Sequence, residues 1–188
     1  MERRAVKADP AFMQTAALRP HLRLVVSDGE VLKPPAGPTP AERLIDFAGV
    51  RPGLRIIEFT FGPARLAWRF QAAGCDVVTV DLAHTPPDAL PAEWIGAFDL
   101  AVTACVLHQA PDATHLLAAV AECVRPGGSC AGLEPAREDF AANLRGLTAS
   151  AGLSLFQAQQ ETPSSALFWR ARVPALQLLN PPSLSLAA

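Results

Sequence analysis

The sequence predicts a three-layer α/β domain whose mostly parallel sheet ends in an antiparallel hairpin. Three observations carry that reading. Short apolar strand segments alternate with helical segments from Thr39 onward, the pattern of βαβ units. The segment Val77 to Val80 is an unbroken β-branched run, as expected of a parallel strand covered on both faces. Near the end, two strand segments, Leu153 to Ala158 and Ala166 to Val173, are separated only by a Pro163-Ser164-Ser165 turn.

The elements follow in order. Residues 1–38 form an N-terminal extension, in which Leu22, Leu24 and Val26 alternate ahead of an Asp28-Gly29 turn signal, the pattern of a short hairpin. Pro34, Pro35, Gly37 and Pro38 close it. Residues 39–173 are the domain proper. Thr39 and Glu42 make a capping box with Pro40 at the first helical position, and Ala41, Leu44, Ile45 and Ala48 share one helical face that Gly49 ends. A strand runs from Leu54 to Phe59. Gly62-Pro63 opens a second helix, with Leu66, Ala67 and Phe70 inward and Gly74 at its end. Val77 to Val80 leads directly into Asp81. Phe98 to Thr103 is the next strand, and Asp112 caps a helix burying Leu116, Leu117, Val120 and Val124. Pro126-Gly127-Gly128 ends it before a strand from Ser129 to Leu133. Glu138 to Ser150 is helical, with Phe140, Leu144 and Leu147 on one side. Residues 174–188 are a Pro-, Leu- and Ser-rich tail.

Composition narrows the function classes. Of 188 residues, 50% are hydrophobic and 18% charged, enough for one domain with a core. A net charge of -2 gives no electrostatic case for nucleic acid or an acidic membrane as partner. Lysine occurs only at Lys7 and Lys33, and the scattered arginines read as a solvated surface. Cys75, Cys105, Cys123 and Cys130 form no CxxC pair and no cluster with zinc spacing, so no metal is expected; they read as reduced core thiols of a cytoplasmic protein. The first residues carry basic groups without an apolar run behind them, and no stretch approaches the roughly 20 apolar residues of a membrane span.

Ligands of open α/β sheets sit beyond the carboxyl ends of the strands, where strand order reverses. The loops after Phe59, Val80 and Thr103 are therefore the candidate site. They resemble those of class I S-adenosylmethionine (SAM)-dependent methyltransferases, particularly the small-molecule group that includes the ubiquinone and menaquinone biosynthesis enzymes. The segment Arg51 to Leu66 (RPGLRIIEFTFGPARL) is similar to that family's first strand and glycine loop. Val77 to Leu82 (VVTVDL) is similar to its second strand with an acidic ribose ligand. Phe98 to Asp112, then Val124 to Gly128 and Leu133-Glu134-Pro135, are similar to its fourth strand, following helix and fifth strand. Leu167 to Arg172 is similar to its last strand.

The resemblance implies a Rossmann-like fold with SAM as cofactor, held by Glu58, Thr60, Gly62, Ala64, Asp81, Leu82 and Thr103. Asp81 would accept the ribose hydroxyls; as an ordinary strand-end acid it would only solvate or cap. Glu58 would hold the loop and the methionine amino group, or serve solely as a structural acceptor of loop amides. His108 would act as a base on a substrate nucleophile, or pack at a helix start. Trp94 would stack on adenine or cover the short crossover. Cys105 lies at the same mouth, with nothing to raise its reactivity. Asn180-Pro181-Pro182-Ser183 has the order of an amino-methyltransferase motif, but with Ser for the aromatic and at the wrong place in the chain, and is read as chance.

Two departures stand out. The family pattern puts Gly at three alternating loop positions, here Thr60, Gly62 and Ala64, and Phe61 adds a ring to that loop. Only the sixteen residues 82–97 lie between Asp81 and Phe98, and Pro86, Pro87 and Pro91 interrupt them, where a full βαβ crossover needs roughly 30 residues. The expected sheet therefore lacks the family's third strand, and its adenine pocket lacks one wall. Two functions remain open: a methyltransferase acting on a small molecule, and an inactive relative that keeps the fold as a binding or scaffold module. A nicotinamide-dependent oxidoreductase is disfavoured because this loop offers no glycine-rich bed for a pyrophosphate. No residue pattern sets the oligomeric state.

Overall fold

The computed structural model describes residues 38–62, 66–161 and 166–175. The hairpin expected near residue 24, Ala64, the turn at residues 163–165 and the tail from residue 176 lie outside the described residues.

Helix α1 (Pro40–Ala48) starts at the capping box read from the sequence. Thr39 Oγ1 accepts from the Glu42 N–H, and the Glu42 carboxyl accepts from the Thr39 N–H. Gly49 ends the helix at φ 68°, a left-handed conformation that glycine adopts without steric cost. Strand β1 (Arg55–Thr60), helix α2 (Ala67–Ala72) and strand β2 (Asp76–Asp81) follow. Strand β3 (Phe98–Ala104) and helix α3 (Ala113–Cys123) come next, with Asp112 capping the helix through the His115 N–H. Strand β4 (Val124–Pro135), helix α4 (Glu138–Ser150), strand β5 (Ser154–Glu161) and strand β6 (Ala166–Arg172) complete the domain.

Among the described residues the strands form one six-stranded sheet in the order β2-β1-β3-β4-β6-β5. Pairings within β2-β1-β3-β4 are parallel, and β6 is antiparallel to both β4 and β5. The expected missing strand is borne out: residues 82–97 hold only the short 3₁₀ turns Pro87–Ala89 and Ala92–Trp94, which leaves β2 at the edge. Trp94 packs edge-on against Phe98, ring centroids 6.2 Å apart, and so covers the shortened crossover.

Helices on both faces give two apolar layers. Leu44 and Ala48 of α1 and Phe70 of α2 pack on Ile56, Leu100 and Val102. Leu116, Leu117 and Val120 of α3 and Leu144 of α4 pack on Ile57, Phe59, Ala101 and Trp169 on the opposite face. The Trp169 ring lies where a Cβ on Gly132 would stand, so glycine at that position lets a large ring cover the middle of the sheet.

Two expectations are corrected. Val78, expected to be almost fully buried, is only half-buried, because among the described residues its strand is paired on one side alone. Val124 belongs to β4, not to the helix: it pairs with Phe98, the register then slips, and Ser129 pairs with Leu100. The intervening residues bulge, and Gly128 is required there because a Cβ would come 2.8 Å from the Asp99 carbonyl.

Candidate functional site

Strand order reverses between β1, which turns back to β2, and β3, which pairs on its other side. A cavity of about 350 Å3 opens at the carboxyl ends of these strands, with Glu58, Thr60, Phe61, Cys105, Gln109 and Leu133 in its wall. A second cavity of about 420 Å3 lies on the β2 side, between Leu82, Pro86 and Pro87 and the start of α3 at Asp112, His115 and Leu116. Phe61 lines both, so its ring stands at their common border.

The loop after β1 is held from three directions. Thr60 Oγ1 donates to the Gly62 carbonyl at 2.6 Å. The Gly62 N–H donates to Asp81 Oδ1 at 2.9 Å, across from the neighbouring strand. Glu58, fully buried, accepts the Leu66 N–H at 3.1 Å where α2 begins. Gly62 has φ 90°, a backbone conformation that suits glycine, and none of the described residues lies within 4 Å of its missing Cβ.

Asp81 is heavily engaged. Its Oδ1 accepts the N–H groups of Gly62 and Ala83, and its Oδ2 lies 3.0 Å from His84 Nδ1. The Gly62 N–H, then that of Ala83 and the His84 ring, hold the Asp81 carboxyl below the usual carboxylate range. Leu82 is buried; its N–H donates to the Thr60 carbonyl, and it lines the second cavity. Thr103 stands apart from both cavities. It is fully buried, between Phe59 and Gly132 in the cross-strand register.

The β3 exit has its own organiser. Glu134, at 1% exposure, accepts the Val106 and Leu107 N–H groups at 3.1 and 3.0 Å. Its other oxygen meets the His108 N–H at 3.3 Å and His108 Nδ1 at 2.7 Å. This fixes a turn in which Cys105 takes φ 57°, a sparsely populated conformation for a residue with a side chain. His108 therefore leans on Glu134, and its Nε2 is the ring nitrogen left for other contacts. It lies in the wall of neither cavity. Gln109 and Cys105 of the same turn do line the first cavity, and the Gln109 amide donates to the Cys105 carbonyl. Cys75, Cys123 and Cys130 are buried free thiols, as expected, whereas Cys105, also read as a core thiol, is only partly buried at the cavity wall; burial pushes Cys123 up to about 11. Among the described residues no group of three or more His, Cys, Asp or Glu could hold a metal ion, and no helix is long and apolar enough to cross a membrane.

Glu134 and the border position of Phe61 were not assigned roles from the sequence. Glu134 had a signal, since it is a lone acid directly after the apolar run Cys130 to Leu133, near the end of its strand. Phe61 stood out only as a bulky residue in a glycine loop.

No protein-family model matches the chain, and no curated protein matches it in sequence. Solved structures do resemble it in fold. The 1,6-didemethyltoxoflavin-N1-methyltransferase of Burkholderia thailandensis, solved with 1,6-didemethyltoxoflavin and S-adenosylhomocysteine, aligns with a TM-score of 0.58 at 20% identity over 71% of this chain and 76% of its own. A SAM-dependent methyltransferase from Aquifex aeolicus aligns with a TM-score of 0.57 at 12% identity, over 89% of this chain and 100% of its own. A TehB-like SAM-dependent methyltransferase from Corynebacterium glutamicum aligns with a TM-score of 0.55 at 22% identity, over 70% of this chain and 85% of its own. The chain therefore has the fold of SAM-dependent methyltransferases.

Proposed function

We propose that this chain is a SAM-dependent methyltransferase acting on a small molecule. The observation that carries the reading is the cavity at the β1–β3 switch point, with the buried Glu58 carboxyl in its wall and the Gly62 loop beside it. These residues fit the methionine end of SAM: Glu58 toward the amino group, Thr60 and Gly62 along the loop. Asp81 suits the ribose and Leu82 the adenine in the second cavity. SAM, when bound, supplies an electrophilic methyl on sulfur, and the protein has mainly to align the acceptor. His108 is turned onto Glu134 and lines neither cavity, so Gln109 and Cys105, which do line the first cavity, are the β3-exit residues that face the acceptor. The bound small heteroaromatic in the Burkholderia enzyme and the motif order shared with the ubiquinone and menaquinone enzymes support a small acceptor.

A second reading has its own support. Phe61 separates the two cavities that one SAM would have to span, Asp81 already serves Gly62, Ala83 and His84, and residues 82–97 supply no third strand as an adenine wall. On that reading the chain is an inactive relative that serves as a binding or scaffold module.

Calorimetric titration with SAM and S-adenosylhomocysteine separates the two. The first reading expects binding by the wild type. It also expects about tenfold tighter binding by Phe61→Ala, or 1.4 kcal/mol, and weaker binding by Asp81→Asn. Incubation with SAM and a panel of small hydroxyl and amine acceptors should then yield S-adenosylhomocysteine. No binding by either the wild type or Phe61→Ala would overturn it in favour of the second.

A further inference from the structure

The opposite end of the sheet carries a feature that the loops described above do not use. A concavity of about 230 Å3 lies between the end of α1, the start of β3, the bulge of β4 and the end of β6. Four arginines line it: Arg51, Arg125, Arg170 and Arg172. They come from four places in the sequence, the turn before β1, the bulge and two alternate positions of β6. The single acid in the lining is Asp99. Four positive groups against one negative leave an excess of three positive charges, in a chain whose net charge is -2.

Asp99 is already committed. Its Oδ1 accepts Arg125 Nε at 2.6 Å and its Oδ2 accepts the Arg55 N–H at 2.8 Å. Those bonds, led by the Arg55 N–H, hold its carboxyl below the usual range. The ion pairs found among the described residues engage Arg125 but none of Arg51, Arg170 and Arg172. Arg170 and Arg172 instead stack on the exposed ring of Phe156, at 5.2 and 5.4 Å from its centroid. Arg170 is the most enclosed of the four. Its guanidinium lies against Gly49, where an added Cβ would come 3.1 Å from Nη1, and its Nε is buried without a hydrogen-bond partner among the described residues. Burial, and then the nearby Arg172, push the Arg170 pKa below that of an ordinary arginine.

Like charges gathered around a partly enclosed space, one with an unmet N–H, are the complement of a multivalent oxyanion. Planar guanidinium groups meet phosphate oxygens two at a time, and burial strengthens such pairs. The concavity is small, and the bulge at Gly127-Gly128 closes one side of it. It suits one phosphoryl group rather than the track of a nucleic-acid backbone. We propose that Arg51, Arg125, Arg170 and Arg172 form a binding site for a phosphate group, free or carried on a small molecule, at the amino end of the sheet, remote from the candidate cofactor loops.

The test is titration of the full chain at 150 mM salt with inorganic phosphate, pyrophosphate, adenosine monophosphate and a short single-stranded RNA, followed by calorimetry. Binding of phosphate and of adenosine monophosphate with equal affinity identifies a free-phosphate site; tighter binding of the nucleotide identifies a phosphorylated small molecule. Arg170→Gln and, as an exposed alternative that leaves the Gly49 packing intact, Arg51→Gln should each weaken binding about tenfold. Asp99→Asn should strengthen it, since the one competing negative charge is removed while an oxygen remains for the Arg55 N–H. That opposite sign is not expected of a merely structural cluster. The proposal is overturned if none of the small anions binds, if the arginine variants bind as the wild type does, if Asp99→Asn weakens binding, or if RNA binds more tightly than every small anion.

Discussion

Glu134 offers the sharpest test of how the β3 exit is built. Glu134→Leu places an apolar side chain of similar reach at a site with 1% exposure and removes every acceptor. The Val106 and Leu107 N–H groups, on residues exposed by 0% and 1%, then lose their partner. Leaving a buried donor unsatisfied costs about 1–3 kcal/mol, so two cost about 2–6 kcal/mol. The gain from no longer burying a carboxyl group offsets part of this, and a net loss of about 2–4 kcal/mol is expected. Glu134→Gln retains an oxygen for the Val106 and Leu107 N–H groups and loses only the acceptor of the part-buried His108 N–H, so its loss should be about 1 kcal/mol. Urea unfolding followed by circular dichroism, with linear extrapolation, resolves these differences. The expected order of stability is wild type, Gln, Leu. A Leu variant within about 0.5 kcal/mol of wild type would refute the reasoning, as would a Gln variant that loses as much as Leu.

Two further outcomes can be checked on the same preparations. Leu117→Ala should cost about 2–5 kcal/mol in urea unfolding, because the side chain is fully buried between α3 and the sheet; a loss below about 1 kcal/mol would contradict that packing. Glu42 is lowered from 4.5 to about 2, first by the Arg69 side chain and then by Thr39, so its contribution is complete above pH 4.5 and fades as pH falls toward 2. Glu42→Gln should therefore flatten that acid limb of the melting temperature, and an unchanged limb would rule out the capping carboxyl as its source.

The order of the elements was legible because each rests on local chemistry. Thr39, Pro40 and Glu42 specify a helix start through bonds within one turn. Asp112 does the same for α3. Sixteen proline-broken residues cannot hold a helix and a strand, whatever surrounds them, so the missing strand followed from length alone. Asp81 was legible as an acid directly after an apolar run, while Glu58 was singled out only through the family resemblance. Val78 and Val124 were misplaced where the answer depended on neighbours. A β-branched run reads the same at an edge as at the centre of a sheet, and the extent of the α3 helix was decided by the pairing of Val124 with Phe98.

What the sequence determined by itself is thus the α/β class, the element order, the short crossover without a strand, and the loops around the candidate site. Tertiary structure alone decided how those groups are spent. It turned the Asp81 carboxyl onto the Gly62 N–H from a strand 19 residues away. It folded His108 onto Glu134 instead of into the cavity wall, and it set the Phe61 ring at the border of two cavities. It also gathered Arg51, Arg125, Arg170 and Arg172, scattered along the chain, around one concavity. Helix caps and chain length act over a few residues and leave a mark in the local pattern. Hydrogen-bond partners and charge clusters join residues that are distant in sequence, and they exist only once the sheet register brings their strands side by side.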